Sequence, residues 1–440
     1  MSRCRICGRT HHVGIVATRL AGTDGVSLET EKWASVLERQ GYRCFYLAGE
    51  LERPAHKSLL VPEAHFTHPR IREIHLHSFG ARTRARWVTQ AIGRLKSRLK
   101  DEIYRFIERF GIDVLMPENA LTIPLNIPLG IALTEVISET GMATIAHHHD
   151  FFWERQRFKT NAVWEYLNMA FPPHLPSIQH VVINSSADNQ LSLRTGISAT
   201  IIPNVMDFDH PPAPLDDYAA DVRQALGLES DALLILQPTR VVKRKGIEHA
   251  IELVSRLGRK ACLVVSHASG DEGDDYAQRL RDYSRLLGVK TIFASRIIDE
   301  RRGRTAEGGK IYTLNDIYPH ADLVTYPSNI EGFGNAFLEA IYFRRPIVVN
   351  NYSIYATDIK PKGFAVIEID GYVTEAAVAH TRRILDDPEA ARRMVDHNYA
   401  VASRYYGYGV LEHKLTGLLY DVMGCRVAGA AQTRAGAAGA

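Results

Sequence analysis

The stretch DFDHPPAPLDD, residues 207–217, is rich in proline and aspartate. These residues interrupt helices and strands, so the stretch predicts a linker. On either side of it, short apolar segments alternate with helical patterns, which predicts parallel sheets covered by helices on both faces. The apolar segments before the linker are VGIVATRL (13–20), YRCFYLAG (42–49), DVLMPE (113–118), MATIAHHHD (142–150), HVVINSS (180–186) and TIIPN (200–204). Those after it are DALLILQPT (231–239), KACLVVSHA (260–268), VKTIFASRI (289–297), DLVTYPS (322–328), PIVVN (346–350) and FAVIEID (364–370).

The length of the chain, 440 residues, is large for one hydrophobic core. We therefore expect an α/β protein with two doubly wound, Rossmann-like domains, at 13–208 and 209–395. Ligands of such sheets bind beyond the C-terminal strand ends, so we expect a cleft where the two domains face each other. An N-terminal extension is expected at 1–12, a C-terminal helix that packs back on the first domain at 396–424, and a disordered tail at 425–440.

The composition narrows the possible classes of protein. With 45% hydrophobic and 23% charged residues, the chain resembles an ordinary soluble protein, and a net charge of +3 gives no reason to invoke nucleic acid. No apolar run reaches the ~18 residues of a membrane span, and the N-terminus has no apolar region typical of a secretory signal. The five cysteines are scattered, which fits a reducing compartment. We expect a cytoplasmic protein, with the inner face of the membrane as an alternative location.

Two features leave alternatives open. Cys4 and Cys7 form a lone CxxC pair, for which zinc binding or redox chemistry is less favoured than a frayed extension. A cluster of basic residues could touch an anionic membrane surface, although such clusters are more often the solvated face of a helix. Its members are Arg82, Arg84, Arg86, Arg94, Lys96, Arg98 and Lys100.

Four stretches that could carry chemistry directly follow predicted strands. The first is AGTDGVSLE (21–29), a glycine-containing turn that enters a helix. Its backbone amides could hold an anionic or polar ligand, whereas a purely structural turn is the more common use of such glycines. The residues of this loop are Gly22, Thr23, Asp24 and Gly25.

The second stretch, AHHHDFFWER (146–155), carries three histidines at the end of a strand. Adjacent strand residues point to opposite faces, so His147, His148 and His149 are not expected to converge on one metal ion. We predict no metal site. One histidine that faces the cleft could hydrogen-bond a sugar hydroxyl or a phosphate, and a packed histidine is the alternative.

The third stretch, PTRVVKRKG (238–246), places Arg240 at a strand end and Lys245 just before a helix. A guanidinium and an ammonium near a helix N-terminus suit a diphosphate. For the tripeptide KRK by itself, a solvated basic loop is the favoured interpretation.

The fourth stretch is YPSNIEGFGNAFLEA (326–340), which predicts a strand, a loop and a helix. If the interval from Glu331 to Glu339 were helical, it would span roughly 12 Å, which suits the two ends of an elongated ligand better than a catalytic acid–base pair. The first helical amides can bind anionic or hydroxyl groups, and Gly332 and Gly334 permit close approach of a ligand to the backbone.

Taken in order, these motifs show that the chain resembles the family 4 glycosyltransferases, retaining enzymes of the GT-B fold, from about residue 13 to 420. EGFGNAFLEA resembles the family's E-x7-E signature, and TRVVKRKG its Arg-x4-Lys-Gly donor-phosphate motif. IIPNVMD resembles the hinge sequence I-P-N-G-V-D, with Val205 where glycine is usual. GTDGVSLE resembles the N-terminal glycine loop, AHHHD the strand with the family histidine, and ASGDEGDDYAQRL (268–280) a segment of the donor domain.

The resemblance implies roles for the matched residues. Arg240 and Lys245 would bind the donor diphosphate and stabilise the leaving nucleotide without a metal. His149 is the best match to the histidine that contacts the sugar, with His147 and His148 as alternatives. The loop from Gly22 to Gly25 would lie near the diphosphate or the acceptor.

The signature stretch would bind the rest of the donor. Glu331 and the amides that follow it would hold hydroxyls of the transferred sugar, and Glu339 the ribose hydroxyls. A carboxylate next to a diphosphate would be repelled, so both glutamates belong on hydroxyls. The donor-binding residues implied in this way are Gly332, Phe333, Gly334, Asn335 and Glu339. Asn335 departs from the apolar residue that is common in the family, and could tune recognition of the sugar or the base.

The function implied is metal-independent transfer of a hexosyl group from a nucleotide sugar to a hydroxyl, with anomeric retention and no cofactor. The acceptor could be a small soluble molecule, such as a phosphorylated sugar or glycerate, or a lipid-linked glycan. ENALTIPLNIPLGIAL (118–133) is expected to line the acceptor side. The alternatives are a sugar phosphorylase, a nucleotide-sugar epimerase or hydrolase, and a non-catalytic sugar-nucleotide-binding protein. The sequence does not distinguish UDP-, GDP- and ADP-linked donors, and it does not predict the oligomeric state.

Overall fold

The computed structural model describes residues 10–22, 24–268 and 275–424. The chain forms two compact units: the described residues of Met1–Asn204 and Gly409–Ala440 make one, and Val205–Tyr408 makes the other. The chain enters the second unit between Asn204 and Val205, whereas the predicted boundary follows residue 208. It returns to the first unit between Tyr408 and Gly409, whereas the predicted boundary follows residue 395. Some predictions concern residues outside these ranges, namely the Cys4–Cys7 pair, Thr23, residues 269–274 and the tail at 425–440.

Seven parallel strands form the sheet of the first unit. They are β1 (His12–Val16), β2 (Arg43–Ala48), β3 (Ser58–Leu60), β4 (Val114–Pro117), β5 (Ala143–His148), β6 (Ile178–Val182) and β7 (Ala199–Ile201). Their order is β3-β2-β1-β4-β5-β6-β7, so the chain starts in the middle and winds to both sides. β3 was not predicted, because it has only three residues and one of them, Leu60, is exposed.

Helices cover this sheet, and α3 illustrates why they form. They are α1 (Gly25–Arg39), α2 (Pro69–Ser78), α3 (Arg86–Phe110), α4 (Ile127–Thr140), α5 (Gln156–Lys159), α6 (Trp164–Ala170) and α7 (Ser185–Thr195). The buried residues of α3 recur every three or four positions, which makes one apolar face; they are Val88, Ile92, Leu95, Leu99, Ile103 and Phe106. The helix ends at Gly111, whose φ of 56° is the left-handed conformation that glycine adopts without strain.

The second unit repeats the architecture with six parallel strands. They are β8 (Leu233–Gln237), β9 (Ala261–Val265), β10 (Lys290–Phe293), β13 (Leu323–Tyr326), β14 (Ile347–Asn350) and β15 (Ile367–Ile369), and a separate antiparallel hairpin contains β11 (Gly303–Arg304) and β12 (Lys310–Ile311). The sheet order is β10-β9-β8-β13-β14-β15, so its winding reverses between β8 and β13. The predicted fold class, α/β with two doubly wound sheets, is confirmed.

The helices of the second unit are α8 (Val222–Ala225), α9 (Ile247–Leu257), α10 (Asp275–Leu286), α11 (Leu314–Ile317), α12 (Asn335–Tyr342), α13 (Glu375–Asp386) and α14 (Pro388–Tyr406). Their apolar faces pack on the sheet; α9, for example, buries Ile247, Ile251 and Val254 in its core. The linker predicted at 207–217 forms neither helix nor strand. None of the helices in the described ranges has the length and apolar character needed to cross a bilayer.

The C-terminal segment differs from the single helix expected at 396–424. It forms two helices, α14 and α15 (Tyr408–Leu419), separated by Gly407, whose backbone is extended. A Cβ at Gly407 would lie 2.6 Å from the Ser403 carbonyl oxygen, so this position favours glycine. Residues from Gly409 onward belong to the first unit. There, the Gln40 side-chain amide donates hydrogen bonds of 2.9 Å to the Glu412 carbonyl and to the Thr416 hydroxyl.

Candidate active site

The two donor motifs predicted from the sequence follow β8 and β13 in the second unit. These strands are neighbours, and the winding of the sheet reverses between them. Ligands of open α/β sheets bind outside the strand ends at such a reversal. The topology therefore brings Arg240 and Lys245, after β8, to the same sheet edge as Glu331, after β13.

Glu331 is paired with two cations. The Lys245 ammonium donates to one of its carboxylate oxygens, and the Arg244 guanidinium donates to the other at 2.9 Å. Burial favours a raised pKa for Glu331, but the charges of Lys245 and Arg244 outweigh it and lower the pKa. Burial lowers the pKa of Lys245, an effect that Glu331 opposes. The three charges sum to a positive one, which suits a ligand that is itself an anion.

The loop that carries these cations is only partly the solvated basic loop favoured for the tripeptide KRK. Residues Lys243–Lys245 form one turn of 3-10 helix that leaves Lys243 exposed and buries Lys245. The Lys245 ammonium also lies 5.3 Å from the centre of the Tyr326 ring. The favoured interpretation is thus wrong for Lys245, because its charge is compensated by Glu331 from another strand.

Gly246 joins the two loops. Its φ of 57° is left-handed, and a Cβ would lie 2.4 Å from the Pro327 carbonyl oxygen. The loops are also linked by a hydrogen bond of 2.8 Å from the Asn329 amide to the Arg244 carbonyl. Glycine at this position therefore sets how closely the two donor motifs approach each other.

Arg240 is exposed and lies three residues beyond the end of β8. His267, which follows the adjacent strand β9, is bonded through Nδ1 to the Ser266 hydroxyl at 2.6 Å. Burial lowers the pKa of His267, and the charges of Arg240 and Lys245 lower it further. Neither His267 nor Arg244 was singled out from the sequence. The sequence contains only weak indications of them: His267 follows the end of a strand, and Arg244 directly precedes Lys245.

The signature stretch forms a tight turn before α12. Gly334 precedes this helix with a φ of 124°, and a Cβ there would lie 2.7 Å from the Tyr352 hydroxyl. That hydroxyl donates to the Phe333 carbonyl at 2.7 Å, while the Phe333 side chain is buried. Gly332 is exposed, and Asn335 is half-buried in the first turn of α12. Residues 331–334 are not helical, so the distance based on a continuous helix does not apply.

Glu339 lies on α12 and is oriented by a tyrosine. The hydroxyl of Tyr318, a buried residue, donates to a carboxylate oxygen of Glu339 at 2.9 Å. Burial raises the pKa of Tyr318, and the Glu339 charge adds to this, so the hydroxyl stays protonated as a donor. The pair holds the second glutamate of the signature in one orientation.

In the first unit, the three histidines separate as the strand alternation predicts. His148 points to one side of β5, where its Nε2 lies 2.9 Å from His180 Nδ1. His147 and His149 lie on the other side, with ring centres 4.4 Å apart. The side chains of His147 and His149 are 1% and 10% exposed, so His149 is the more accessible of the two.

Glu118, at the end of β4, joins His147 and His149. One of its carboxylate oxygens lies 2.9 Å from His147 Nδ1 and 3.4 Å from His149 Nε2. Burial favours a raised pKa for Glu118, but the two histidines outweigh it and lower the pKa. The potential ligand atoms of the three residues lie within 4.8 Å of one another, a spacing that could also hold a metal ion. From the sequence, Glu118 was named only as the first residue of the segment expected to line the acceptor side, and its contacts with the histidines were not predicted. The absence of a metal stays a prediction.

Asn119 supports the same edge. Its φ of 54° is left-handed, which is uncommon outside glycine and is a recognised feature of functional sites. Its side-chain oxygen accepts from the His149 amide at 3.1 Å, and its side-chain amide donates to Asp150 at 2.9 Å. Asp150 is in turn paired with Arg155.

The glycine loop before α1 is engaged in capping. The Asp24 carboxylate accepts from the Val26 and Ser27 amides at 3.2 and 3.3 Å, and pairs with Arg19 at 3.2 Å. The sequence predicts that backbone amides of this loop could bind a ligand, but these two are already hydrogen-bonded to Asp24. The Gly22 amide donates to Glu52 at 3.0 Å. A role for Gly22, Asp24 and Gly25 near a diphosphate or acceptor stays a prediction.

Much of the basic cluster is neutralised within the first unit. Lys96 and Lys100 pair with Glu135, Arg98 with Glu63, and Arg84 with Glu165. Four of the seven predicted cations therefore have carboxylate partners, which leaves less positive charge for an anionic surface than the sequence suggests.

The chain has two Rossmann-like units, with a cationic pair on a glutamate at the sheet reversal of the second, which is the arrangement expected for the GT-B class. The family model described as "Glycosyl transferases group 1" matches residues 219–401. The mannosylglucosylglycerate synthase of Thermotoga maritima is 31% identical over 428 residues, which cover 89% of this chain and 96% of that protein. The chain belongs to this glycosyltransferase family.

A second relative agrees with this assignment, and a solved structure agrees with the fold. The mannosylglucosylglycerate synthase of Petrotoga mobilis is 33% identical over 382 residues, covering 81% of this chain and 86% of that protein. The crystal structure of a glycosyltransferase from Rickettsia africae superposes with a TM-score of 0.66 at 14% identity, covering 94% of this chain and 99% of that chain. At this identity, the second similarity supports the fold.

Proposed function

We propose that the chain is a retaining, metal-independent mannosyltransferase. It transfers mannose from a nucleoside diphosphate mannose to a small acceptor that contains glycerate. The observation that carries the donor part is the pairing of Lys245 and Arg244 with Glu331 at the sheet reversal. This pairing places two cations that can bind phosphate next to a carboxylate that can bind sugar hydroxyls.

In this proposal, Arg240, Lys245 and Arg244 bind the diphosphate. Fixed cations of this kind stabilise the charge that grows on a leaving nucleotide, and this is the role that a metal ion would otherwise fill. The net positive charge of the Glu331 cluster and the exposure of Arg240 support the assignment.

The remaining donor groups are assigned to the signature stretch. Glu331 and the amides of Gly332, Phe333 and Gly334 hold the hydroxyls of the sugar. Glu339 binds the ribose hydroxyls, and its orientation by Tyr318 supports this role. Asn335, in the first turn of α12, contacts the sugar or the base.

In the reaction, an acceptor hydroxyl oxygen forms a bond to the anomeric carbon while the bond from that carbon to the phosphate oxygen breaks. The acceptor proton passes to the departing phosphate oxygen, so a glycoside and a nucleoside diphosphate result. Attack from the face that the leaving group vacates retains the anomeric configuration. His149 contacts the transferred sugar, and its accessibility relative to His147 and His148 supports this choice.

The acceptor is proposed from the relatives that match nearly the whole chain. Both are mannosylglucosylglycerate synthases, and this name describes a product that contains mannose, glucose and glycerate. The similarity includes the first unit, which holds the acceptor in our proposal. We therefore assign glucosylglycerate as the acceptor and a mannose nucleotide as the donor, in preference to a lipid-linked glycan.

The test is to incubate the purified chain with GDP-, UDP- or ADP-mannose, with and without glucosylglycerate, in buffer with and without EDTA. We expect nucleotide release that requires the acceptor and survives EDTA, and a product whose anomeric proton shows the donor's configuration by NMR. Release without an acceptor would instead indicate the epimerase or hydrolase alternative. Sugar transfer that requires inorganic phosphate and no nucleotide would indicate the phosphorylase. Silence across the whole panel would contradict the proposal.

A further inference from the structure

We propose that Glu118 is a positioning residue that orients the ring of His149 toward the substrate. This inference rests on the proposed function, in which His149 contacts the sugar. It adds a buried carboxylate from a neighbouring strand, which neither the sequence motifs nor the comparisons single out.

The topology brings the two residues together. Glu118 directly follows β4, and His149 directly follows β5, the next strand in the sheet. A backbone bridge between Glu118 and His147 extends the pairing of these strands. The Glu118 side chain is fully buried, and one oxygen faces His147 Nδ1 and His149 Nε2 at 2.9 and 3.4 Å.

The residue after Glu118 holds the backbone of His149. The side-chain oxygen of Asn119 accepts from the His149 amide at 3.1 Å, and the Thr122 hydroxyl donates to the same oxygen at 2.9 Å. Two consecutive residues thus fix both the backbone and the ring of His149. Because Nε2 faces Glu118, Nδ1 is the ring nitrogen left for the substrate.

The charges around His149 favour a ring that donates hydrogen bonds. The groups that influence it are Glu118, Glu29, Asp150, His147 and His148. Burial favours a lowered pKa for His149, but the hydrogen bond and the charge of Glu118 outweigh it and raise the pKa. A buried carboxylate also needs a compensating cation, and a protonated His149 supplies one.

The same three side chains could instead bind a metal ion, and the two uses exclude each other. A ring nitrogen that binds a metal offers its lone pair, whereas one that donates to Glu118 carries a proton. The proposal therefore predicts a purified protein without a stoichiometric divalent metal and with a protonated His149 Nε2.

The kinetic test compares Glu118→Gln, His149→Asn and the double variant. The glutamine substitution keeps the shape of the side chain but removes its charge, and we expect kcat to fall about 10- to 100-fold with the KM for the donor within about threefold. The double variant should be no slower than His149→Asn, since one residue acts through the other. Glu135→Gln, which removes a paired carboxylate of the same unit away from His149, is the matched control and should stay within about twofold.

Thermal unfolding and ¹⁵N-histidine NMR accompany the kinetics. The His149 Nε2 signal should report a protonated nitrogen in the wild type and shift in Glu118→Gln. If that variant does not fold, Glu118→Asp, which keeps the charge but shortens the reach, is measured in the same way. Three results would each overturn the proposal. The losses of kcat could be additive in the double variant, kcat could be unchanged in Glu118→Gln, or the wild type could contain a stoichiometric metal that this substitution removes. If the wild type shows a protonated His149 Nε2 but no transferase activity, the contact between Glu118 and His149 stands and the proposed function is wrong.

Discussion

Lys245 and Glu331 lie 86 positions apart in sequence, and the Lys245 ammonium donates directly to the Glu331 carboxylate. The side chains of both are nearly buried, at 11% and 9% exposure. The strand order explains the contact, because β8 and β13 are adjacent while the chain between them builds one side of the sheet. This pair is the point at which the two donor motifs become one site.

Replacing Lys245 with Met should remove most of the transferase activity. The variant loses a cation for the diphosphate and leaves Glu331 with Arg244 as its remaining ion-pair partner in the described chain. We expect kcat/KM to fall about 100-fold or more, and the free energy of unfolding to fall by about 1–3 kcal/mol, less than for a fully unpaired buried charge. Steady-state kinetics and urea unfolding measure the two effects. Lys243→Met, at an exposed position of the same turn, is the control, and an equal loss there would count against this role.

Replacing Gly246 with Ala should separate the two donor loops. The new methyl group would meet the Pro327 carbonyl oxygen at 2.4 Å, in addition to the strain of a left-handed alanine. We expect destabilisation of about 2–4 kcal/mol and weaker nucleotide binding. Gly258→Ala is a matched control, because Gly258 has a φ of 64° and a Cβ there would lie 4.0 Å from its nearest neighbour, Arg382 Nη2. Calorimetry of nucleotide binding should show no change in that control; equal effects in both variants would contradict the prediction.

Replacing Tyr318 with Phe tests the orientation of Glu339. The variant loses the hydroxyl that donates to Glu339 but keeps the ring that stacks on Phe343 with centres 4.8 Å apart. We expect the KM for the donor to rise about 3- to 10-fold with little change in kcat, since a hydrogen bond to a charged group contributes about 1.5–3 kcal/mol at most. A donor with deoxyribose should bind the wild type and the variant equally well. A variant that still distinguishes ribose from deoxyribose as the wild type does would show that Tyr318 does not orient Glu339 for ribose binding.

The buried pair of His148 and His180 should make the protein less stable in mild acid. Burial lowers the pKa of His180 from 6.5 to about 4 and also lowers that of His148. Below pH 6.5 these histidines therefore bind protons in the unfolded chain but not in the folded chain. Their contribution to the free energy of unfolding is complete above this pH and is lost as the pH falls toward 4. The slope is up to about 1.4 kcal/mol per pH unit for each histidine. Urea unfolding at pH 7 and pH 5 should show a smaller loss for His180→Gln than for the wild type; equal losses would refute the prediction.

Much of the fold follows from local patterns in the sequence. Short apolar segments predicted nearly all strands of the two parallel sheets, because a strand buried on both faces needs a continuous apolar run. β3 escaped this rule because it is short and half exposed. The break at Gly407 was also missed, since a single glycine within a helical pattern does not reveal whether the helix continues past it.

The candidate site was predictable where function depends on sequence spacing, and not where it depends on contacts between strands. Lys245 and Glu331 stood out within their motifs, but their pairing requires knowledge of the strand order. Glu118 carries no local signal, because its importance arises from a histidine that follows the next strand. Asp24 could be recognised as part of a glycine loop, but its own function as a helix cap competes with ligand binding for the same amides.

The return of the chain to the first unit has a consequence for biosynthesis. From Gly409 onward, α15 belongs to that unit and contacts it through Gln40, although 372 positions separate Gln40 from Glu412 along the chain. Domains generally fold as their residues leave the ribosome. Here the first unit to emerge is the last to be completed, because its final helix is translated after the whole of the second.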